Sequence, residues 1–399
     1  MNRLPLARES PRWDPRLHPL WVRLTRVARR WRMRREQKLV QVELRGVERL
    51  RALVDQGAGV LLTPNHAGHP DPYLLCEVAD AVGRPFFFMT AWQVFATQGR
   101  VGRRAMQWHG CFSVDREGTD LHALKQSVGI LARGTNPLVI FPEGECYHTN
   151  DRVTPFREGP AVIALTAQKH AGRQVYVVPC ATKYRYVRDP TPELEGVMAE
   201  LEQRLYWPPQ INRPLAERVY RFGQGVLALK EIEHLGEPQP GPLPKRLEGL
   251  SEHVLGGLER VYGLTANGHT LPERVKCVRR ACLERLEQVR GQADRESEVA
   301  IQLDDVFLVV QLFSYPGDYI AEQPTIERLA ETVDKFEEDV LGYPMARGRG
   351  ERRAVFQVGE PVDVGRFAAG TGKPRRAAGP LTNALERSVQ ALIDELNRG

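Results

Sequence analysis

The chain has 399 residues, of which 42% are hydrophobic, and its formal net charge is +6. This length allows two or three domains, or one large domain with an insertion, and the apolar content is sufficient for a sizeable core. No apolar run approaches the roughly 20 residues that cross a bilayer, so we expect a protein that touches a membrane without crossing it. The six cysteines lack CxxC spacing, and no secretory leader is recognisable. These features predict a cytoplasmic protein.

Basic residues are concentrated near the start of the chain. No acidic residue occurs between Arg16 and Arg35, and residues 18–37 predict a helix whose apolar face comprises Leu20, Leu24, Val27 and Trp31. A basic amphipathic helix of this kind suits an anionic lipid surface, on the inner face of the membrane. Docking on the protein's own domain is the alternative interpretation. Nucleic acid is not a predicted partner, because no aromatic stacking or groove-reading motif accompanies the charge.

Short apolar runs then alternate with stretches of helical composition. This order favours an α/β fold with a mostly parallel twisted sheet flanked by helices. The predicted strands are 41–45, 59–63, 85–89, 111–115, 138–142 and 175–180. The predicted helices between them are 72–82, 92–108, 119–133 and 158–171.

Long charged helices dominate the next part of the chain, which we interpret as a large all-helical insertion or appended bundle. They are predicted at 191–205, 214–234, 243–262, 271–292, 297–313 and 324–341. A strand at 353–367 and a closing helix at 380–397 follow. The predicted organisation is a basic helix (1–38), an α/β core (39–188), a helical insertion (189–350) and a return of the core (351–399).

The stretch NHAGHPD follows the strand predicted at 59–63 and brings His66 and Asp71 five residues apart. On a continuous helix this spacing separates the side chains by about 140°. The prolines at 70 and 72 argue that the helix begins near Asp71, with this residue as its N-cap. A chain that folds back could then place the carboxylate on one imidazole nitrogen and leave the other to take a proton. A structural turn, or metal ligation by His66, His69 and Asp71, are the alternatives.

Polar residues follow other predicted strands in the same way. FPEG comprises Phe141, Pro142, Glu143 and Gly144, and it offers a carboxylate beside an approachable backbone. Arg116 ends GCFSVDR and suits bidentate recognition of phosphate. In parallel sheets the carboxyl ends of the strands form the binding edge. We therefore expect these segments to converge there.

Taken in order, these segments resemble the glycerolipid acyltransferase family, which includes 1-acylglycerol-3-phosphate acyltransferases. His66 to Asp71 is similar to its HxxxxD motif, GCFSVDR and FPEG to its second and third blocks, and VVPCA (177–181) to its fourth. Glu145 and Cys146 stand where the family usually continues with threonine and arginine. This departure replaces a positive charge with a negative one, for which Arg152 or Arg157 could compensate.

The resemblance implies transfer of an acyl group from acyl-CoA or an acyl carrier protein to a hydroxyl of a lysophospholipid. His66 would act as general base and Asp71 would orient it. Arg116 would bind the acceptor phosphate, and Phe141, Pro142, Glu143 and Gly144 would shape the acceptor site. Neither a bound cofactor nor a metal is implied. A non-catalytic lipid-binding or scaffold protein and a metal-dependent hydrolase are the alternative functions.

Overall fold

Strands and helices alternate through the first half of the chain in the computed structural model, which describes residues 11–116, 120–265, 270–370 and 374–398. The elements are α1 (Pro19–Leu24), α2 (Arg26–Arg35), β1 (Leu39–Arg45), α3 (Val47–Asp55), β2 (Gly59–Pro64), α4 (Asp71–Val82), β3 (Phe87–Ala91), α5 (Trp92–Ala96), α6 (Arg100–Trp108), β4 (Cys111–Val114), α7 (Leu121–Arg133), β5 (Leu138–Val139), α8 (Gly159–His170) and β6 (Val175–Tyr186).

Helices alone follow β6, until two strands and two helices end the described chain. The helices are α9 (Thr191–Arg204), α10 (Leu215–Leu235), α11 (Leu243–Tyr262), α12 (Leu271–Gln288), α13 (Ala293–Phe313), α14 (Tyr319–Glu322) and α15 (Ile326–Val340). The closing elements are β7 (Arg352–Val358), β8 (Val362–Asp363), α16 (Val364–Ala369) and α17 (Pro374–Arg398). Two compact units result. One comprises described residues in 11–190 and 347–398, and the other those in 191–346.

The first unit contains an eight-stranded sheet in the order β1-β7-β6-β2-β5-β3-β4, with β8 paired to β6. Its neighbours are parallel except where β6 meets β7 and β8. The predicted α/β class with a mostly parallel sheet is therefore confirmed. The chain leaves β2 toward β3 and β4, returns to β5, and then crosses to β6. Sheets of this kind bind ligands where the strand order reverses, beyond the carboxyl ends.

Strand β2 is buried along its whole length because helices cover both faces of the sheet. Leu61 faces a core that includes residues of α7, α8 and α17, whereas Val60 and Leu62 face a second core with residues of α3 and α4. Successive side chains of a strand point to opposite faces, so the three apolar residues at the centre of β2 divide between the two cores. This burial holds the end of β2 in a fixed position.

The second unit is helical and has its own apolar core. That core joins α11, α12 and α13, with Leu255, Val278 and Val309 each fully buried. These helices follow the amphipathic pattern expected of a bundle. No helix among the described residues combines the length and apolarity needed to cross a bilayer.

Several predicted element boundaries were wrong. The helix predicted at 18–37 is two helices, because the Thr25 hydroxyl donates to the Trp21 carbonyl where they meet. The predicted helix 92–108 is also divided. The strand predicted at 138–142 ends at Val139, three residues before Pro142, which has no N–H to donate. The segment 353–367 holds two strands and the start of a helix.

Gly59 offers a test of the packing between β2 and α7. A Cβ at this position would fall well inside van der Waals contact with the Leu131 carbonyl oxygen, whereas a Cβ at Gly172 would meet open space. We expect Gly59→Ala to lower the free energy of unfolding by about 1–3 kcal/mol, and Gly172→Ala to leave it nearly unchanged. Urea denaturation followed by circular dichroism measures both. Equal midpoints for the two variants would contradict this packing.

Candidate active site

The chain leaves β2 through a buried asparagine that extends the sheet by one residue. Asn65 is fully buried, its Oδ1 accepts from the Thr182 N–H at 2.7 Å, and its Nδ2 donates to the Thr182 carbonyl at 3.1 Å. The amide side chain thus makes the two hydrogen bonds to β6 that the backbone of a neighbouring strand would make. This fixes the direction in which the next residue, His66, leaves the sheet.

His66 and Asp71 meet across the turn. His66 Nδ1 lies 2.7 Å from Asp71 Oδ2, and the Asp71 side chain is only 1% exposed. An ionised carboxylate can only accept, so Nδ1 carries the proton and donates it. Nε2 is then the nitrogen able to take a proton. The chain folds back as the proline-bounded motif suggested.

Asp71 is not the N-cap that the sequence suggested. It is the first residue of α4, Pro70 precedes the helix, and no side chain caps this end. The Asp71 carboxylate turns back instead, where Oδ2 also accepts from the Gly68 N–H at 3.1 Å and Oδ1 accepts from the Tyr184 hydroxyl at 2.5 Å. Three protein donors therefore hold this buried carboxylate.

Tyr184 is a site residue that the sequence analysis missed, as it also missed Asn65 and Asn150. Burial and the Asp71 carboxylate raise its pKa well above the usual value, so the phenol remains a donor. Its backbone is held by Asn150, whose Oδ1 accepts from the Tyr184 N–H at 2.8 Å and whose Nδ2 donates to its carbonyl at 2.7 Å. Side chains alternate between the two faces of a strand, so Tyr184 lies on the same face of β6 as Cys180, in the core that includes α4. This alternation is the sequence pattern that could have identified Tyr184.

The segment after β5 packs directly against His66. The Phe141 ring stacks on the imidazole at 4.0 Å between centroids and 18° between planes. Glu143 is 3% exposed; its Oε1 accepts from the His66 N–H at 2.7 Å and its Oε2 from the Thr154 N–H at 2.8 Å. Burial raises the Glu143 pKa, although these two N–H donors oppose the shift. Glu143 thus holds the backbone of His66; its predicted contact with an acceptor stays a prediction.

Gly144 ends the FPEG segment, and Arg116, which follows β4, contacts it. The Pro142 carbonyl accepts from the Arg157 N–H at 2.8 Å, and Gly144 has a φ of +81°, which glycine adopts without strain. Arg116 Nη1 lies 2.5 Å from both the Gly144 carbonyl oxygen and Glu145 Oε1. The structure therefore brings together three segments that follow β2, β4 and β5. They carry His66, Asp71, Arg116, Phe141, Pro142, Glu143 and Gly144.

His69 lies apart from the carboxylate contact made by His66. Its ring centroid is 5.0 Å from that of His148, with the planes inclined at 74°. Since both oxygens of Asp71 already accept from protein donors, the arrangement fits a base–carboxylate pair better than a metal site built from His66, His69 and Asp71. The structure thus gives His66 the contact with Asp71 that the sequence suggested.

Comparison with known proteins assigns part of the chain to a family. Residues 41–183 match a family model described as Acyltransferase, which covers about a third of the chain. A search of curated proteins found no significant match. The family resemblance is therefore confirmed for these residues, and the match supports a general acyltransferase function.

Tyr184→Phe tests the bond to Asp71. It removes one donor from a buried carboxylate while keeping the ring, so we expect the free energy of unfolding to fall by about 1.5–3 kcal/mol. Tyr176→Phe, on the same strand, is the matched control and should change stability little. Guanidinium titrations of the three proteins provide the measurement. A Tyr184→Phe variant as stable as the control would show that this bond contributes nothing.

Proposed function

We propose that this protein, through the acyltransferase domain matched at residues 41–183, moves a fatty acyl group from acyl-CoA or an acyl carrier protein to a hydroxyl of a lysophospholipid. The observation that carries the proposal is the contact between His66 Nδ1 and the buried Asp71 carboxylate, 2.7 Å long. It leaves an imidazole nitrogen available as a general base beside the loop that follows β5.

In the proposed reaction the acceptor hydroxyl gives its proton to His66 Nε2 and attacks the thioester carbonyl. A C–O bond forms, the C–S bond breaks as the tetrahedral intermediate collapses, and the imidazolium returns the proton to the departing thiolate. Asp71 stabilises the imidazolium and fixes its tautomer. The route needs no covalent acyl-enzyme, so neither a serine nor a cysteine nucleophile takes part.

Backbone N–H groups near residues 66–69 and 143–145 are the proposed donors to the oxyanion. Three of them already donate within the protein: those of His66 to Glu143, Gly68 to Asp71 and Gly144 to the Phe141 carbonyl. These three N–H groups are therefore already engaged in the protein without substrate.

A scaffold function would leave the His66–Asp71 arrangement unexplained. Burying a carboxylate is costly unless it is bonded, and here the protein holds Asp71 with Gly68 and Tyr184 while directing the same carboxylate at an imidazole. A protein that only binds lipid gains nothing from this arrangement. Catalysis uses it directly, which favours the enzyme over the scaffold.

His66→Ala tests the proposed base. We expect kcat to fall by about 10²–10⁴-fold, because general-base assistance is lost. Purified protein is incubated with radiolabelled acyl-CoA or acyl carrier protein and a panel of lysophospholipids. His170→Ala, an exposed histidine at the end of α8, is the control and should retain full turnover. Unchanged turnover in His66→Ala would refute the assignment of the base.

We also propose that α1 and α2 contact an anionic membrane surface, on the cytoplasmic face. Their inner side carries Val22, Arg29 and Met33, which are buried, so the predicted apolar face points away from the protein. Its four residues are 56–78% exposed: Leu20, Leu24, Val27 and Trp31. Arg23, Arg34 and Arg35 are also exposed. Apolar side chains among arginines suit a layer of anionic lipid headgroups.

A variant with serine at Leu20, Leu24, Val27 and Trp31 tests this surface. We expect it to lose most of its co-sedimentation with vesicles of phosphatidylglycerol and phosphatidylcholine, because its apolar contact area is gone. Val261→Ser with Ile301→Ser, two exposed apolar positions of the helical unit, is the control. Equal sedimentation of all three proteins would overturn the membrane proposal.

A further inference from the structure

The guanidinium of Arg116 is already bound to a carboxylate. Its Nη1 lies 2.5 Å from Glu145 Oε1 and 2.5 Å from the Gly144 carbonyl oxygen. About a fifth of the Arg116 side chain and a quarter of that of Glu145 remain exposed, so the pair is open to a ligand. A phosphate that reaches Arg116 therefore also approaches Glu145.

A second arginine lies on the other side of the same loop. A Cβ on Gly144 would fall directly on the guanidinium of Arg157, which places this group across the glycine. The buried hydroxyl of Tyr147 bonds to Arg157, and burial together with Glu145 raises the pKa of this phenol to about 12. Arg157 is thus held in place, and it supplies the positive charge that the family's usual arginine, replaced here by Cys146, would supply.

The three groups carry a net charge of +1 at neutral pH. Burial raises the pKa of Glu145, but Arg116 and then Arg157 outweigh it, and the pKa is lowered overall. The carboxylate is therefore ionised beside two guanidinium ions. Arg116 and Arg157 supply two positive charges and Glu145 one negative charge, while the neighbouring Glu143 carboxylate adds no positive charge. These described groups therefore leave at most a single positive unit to balance a bound anion.

We propose that this site selects acceptors whose headgroup phosphate is a diester with one negative charge, over phosphate monoesters. The inference rests on the proposed function, whose acceptor it specifies. A monoester carries about −1.5 to −2 charges at pH 7, so its second charge meets Glu145 without a counter-ion. A diester matches the available charge.

The test compares acylation of lysophosphatidylglycerol, a diester, with that of lysophosphatidic acid, a monoester. Wild-type protein should prefer the diester in kcat/KM. Glu145→Gln should shift the ratio about tenfold toward the monoester, the size expected for removing one like charge at a partly exposed site. Glu43→Gln is the matched control, since Glu43 also pairs with an arginine, Arg45, on the strand at the sheet edge. Its ratio should equal that of the wild type.

A binding experiment separates this inference from the proposed function. His66→Ala, with and without Glu145→Gln, is titrated with the two lysolipids in the absence of a thioester. A diester preference that Glu145→Gln removes supports the inference even if no acceptor is acylated, in which case the proposed function fails alone. Turnover with an unchanged ratio in Glu145→Gln, or a wild-type preference for the monoester, overturns the inference and leaves the function standing. Absence of both turnover and selective binding overturns both.

Discussion

The arrangement of the site depends on the burial of one carboxylate. Asp71 is removed from water and accepts from the imidazole of His66, the backbone of Gly68 and the hydroxyl of Tyr184. A buried carboxylate without hydrogen-bond donors costs several kcal/mol, so these three bonds offset the cost of burying Asp71. The bonds tie the turn after β2, the start of α4 and the end of β6 to one another. The orientation of the imidazole is a consequence of this network.

The parallel sheet explains why this network lies beside the FPEG segment. Strands β2 and β5 are neighbours, so the segments after their carboxyl ends leave the sheet together. Glu143 then bonds to the His66 backbone with one oxygen and to that of Thr154 with the other. The Phe141 ring stacks on one face of the His66 imidazole and restricts its rotation. Two loops far apart in sequence thus form one rigid wall for the proposed chemistry.

Charge around this wall divides into a buried part and an exposed part with different effects. Glu143 and Asp71 are buried and bonded, so they hold backbone and imidazole in place. Glu145 and Arg157 lie farther along the FPEG loop and Arg116 lies after β4; Arg157 is exposed, and the other two are partly exposed. Charges of this kind influence which ligand binds more than whether the protein folds. The first set therefore belongs to the proposed reaction, and the second to the proposed choice of headgroup.

Local sequence patterns determined the alternation of strands and helices, the mostly parallel sheet, the start of α4 at its prolines and the position of His66 beyond β2. These features depend on residues within a few positions of one another, which periodicity and proline stereochemistry encode. Only the tertiary structure decided that Tyr184 donates to Asp71, that Asn65 bonds to Thr182 and that β7 lies between β1 and β6. The same holds for Asp71 as a buried acceptor and not a cap. The residues joined by the Tyr184–Asp71 and Asn65–Thr182 bonds are more than 100 positions apart. No local sequence pattern predicts the order of strands that brings them together.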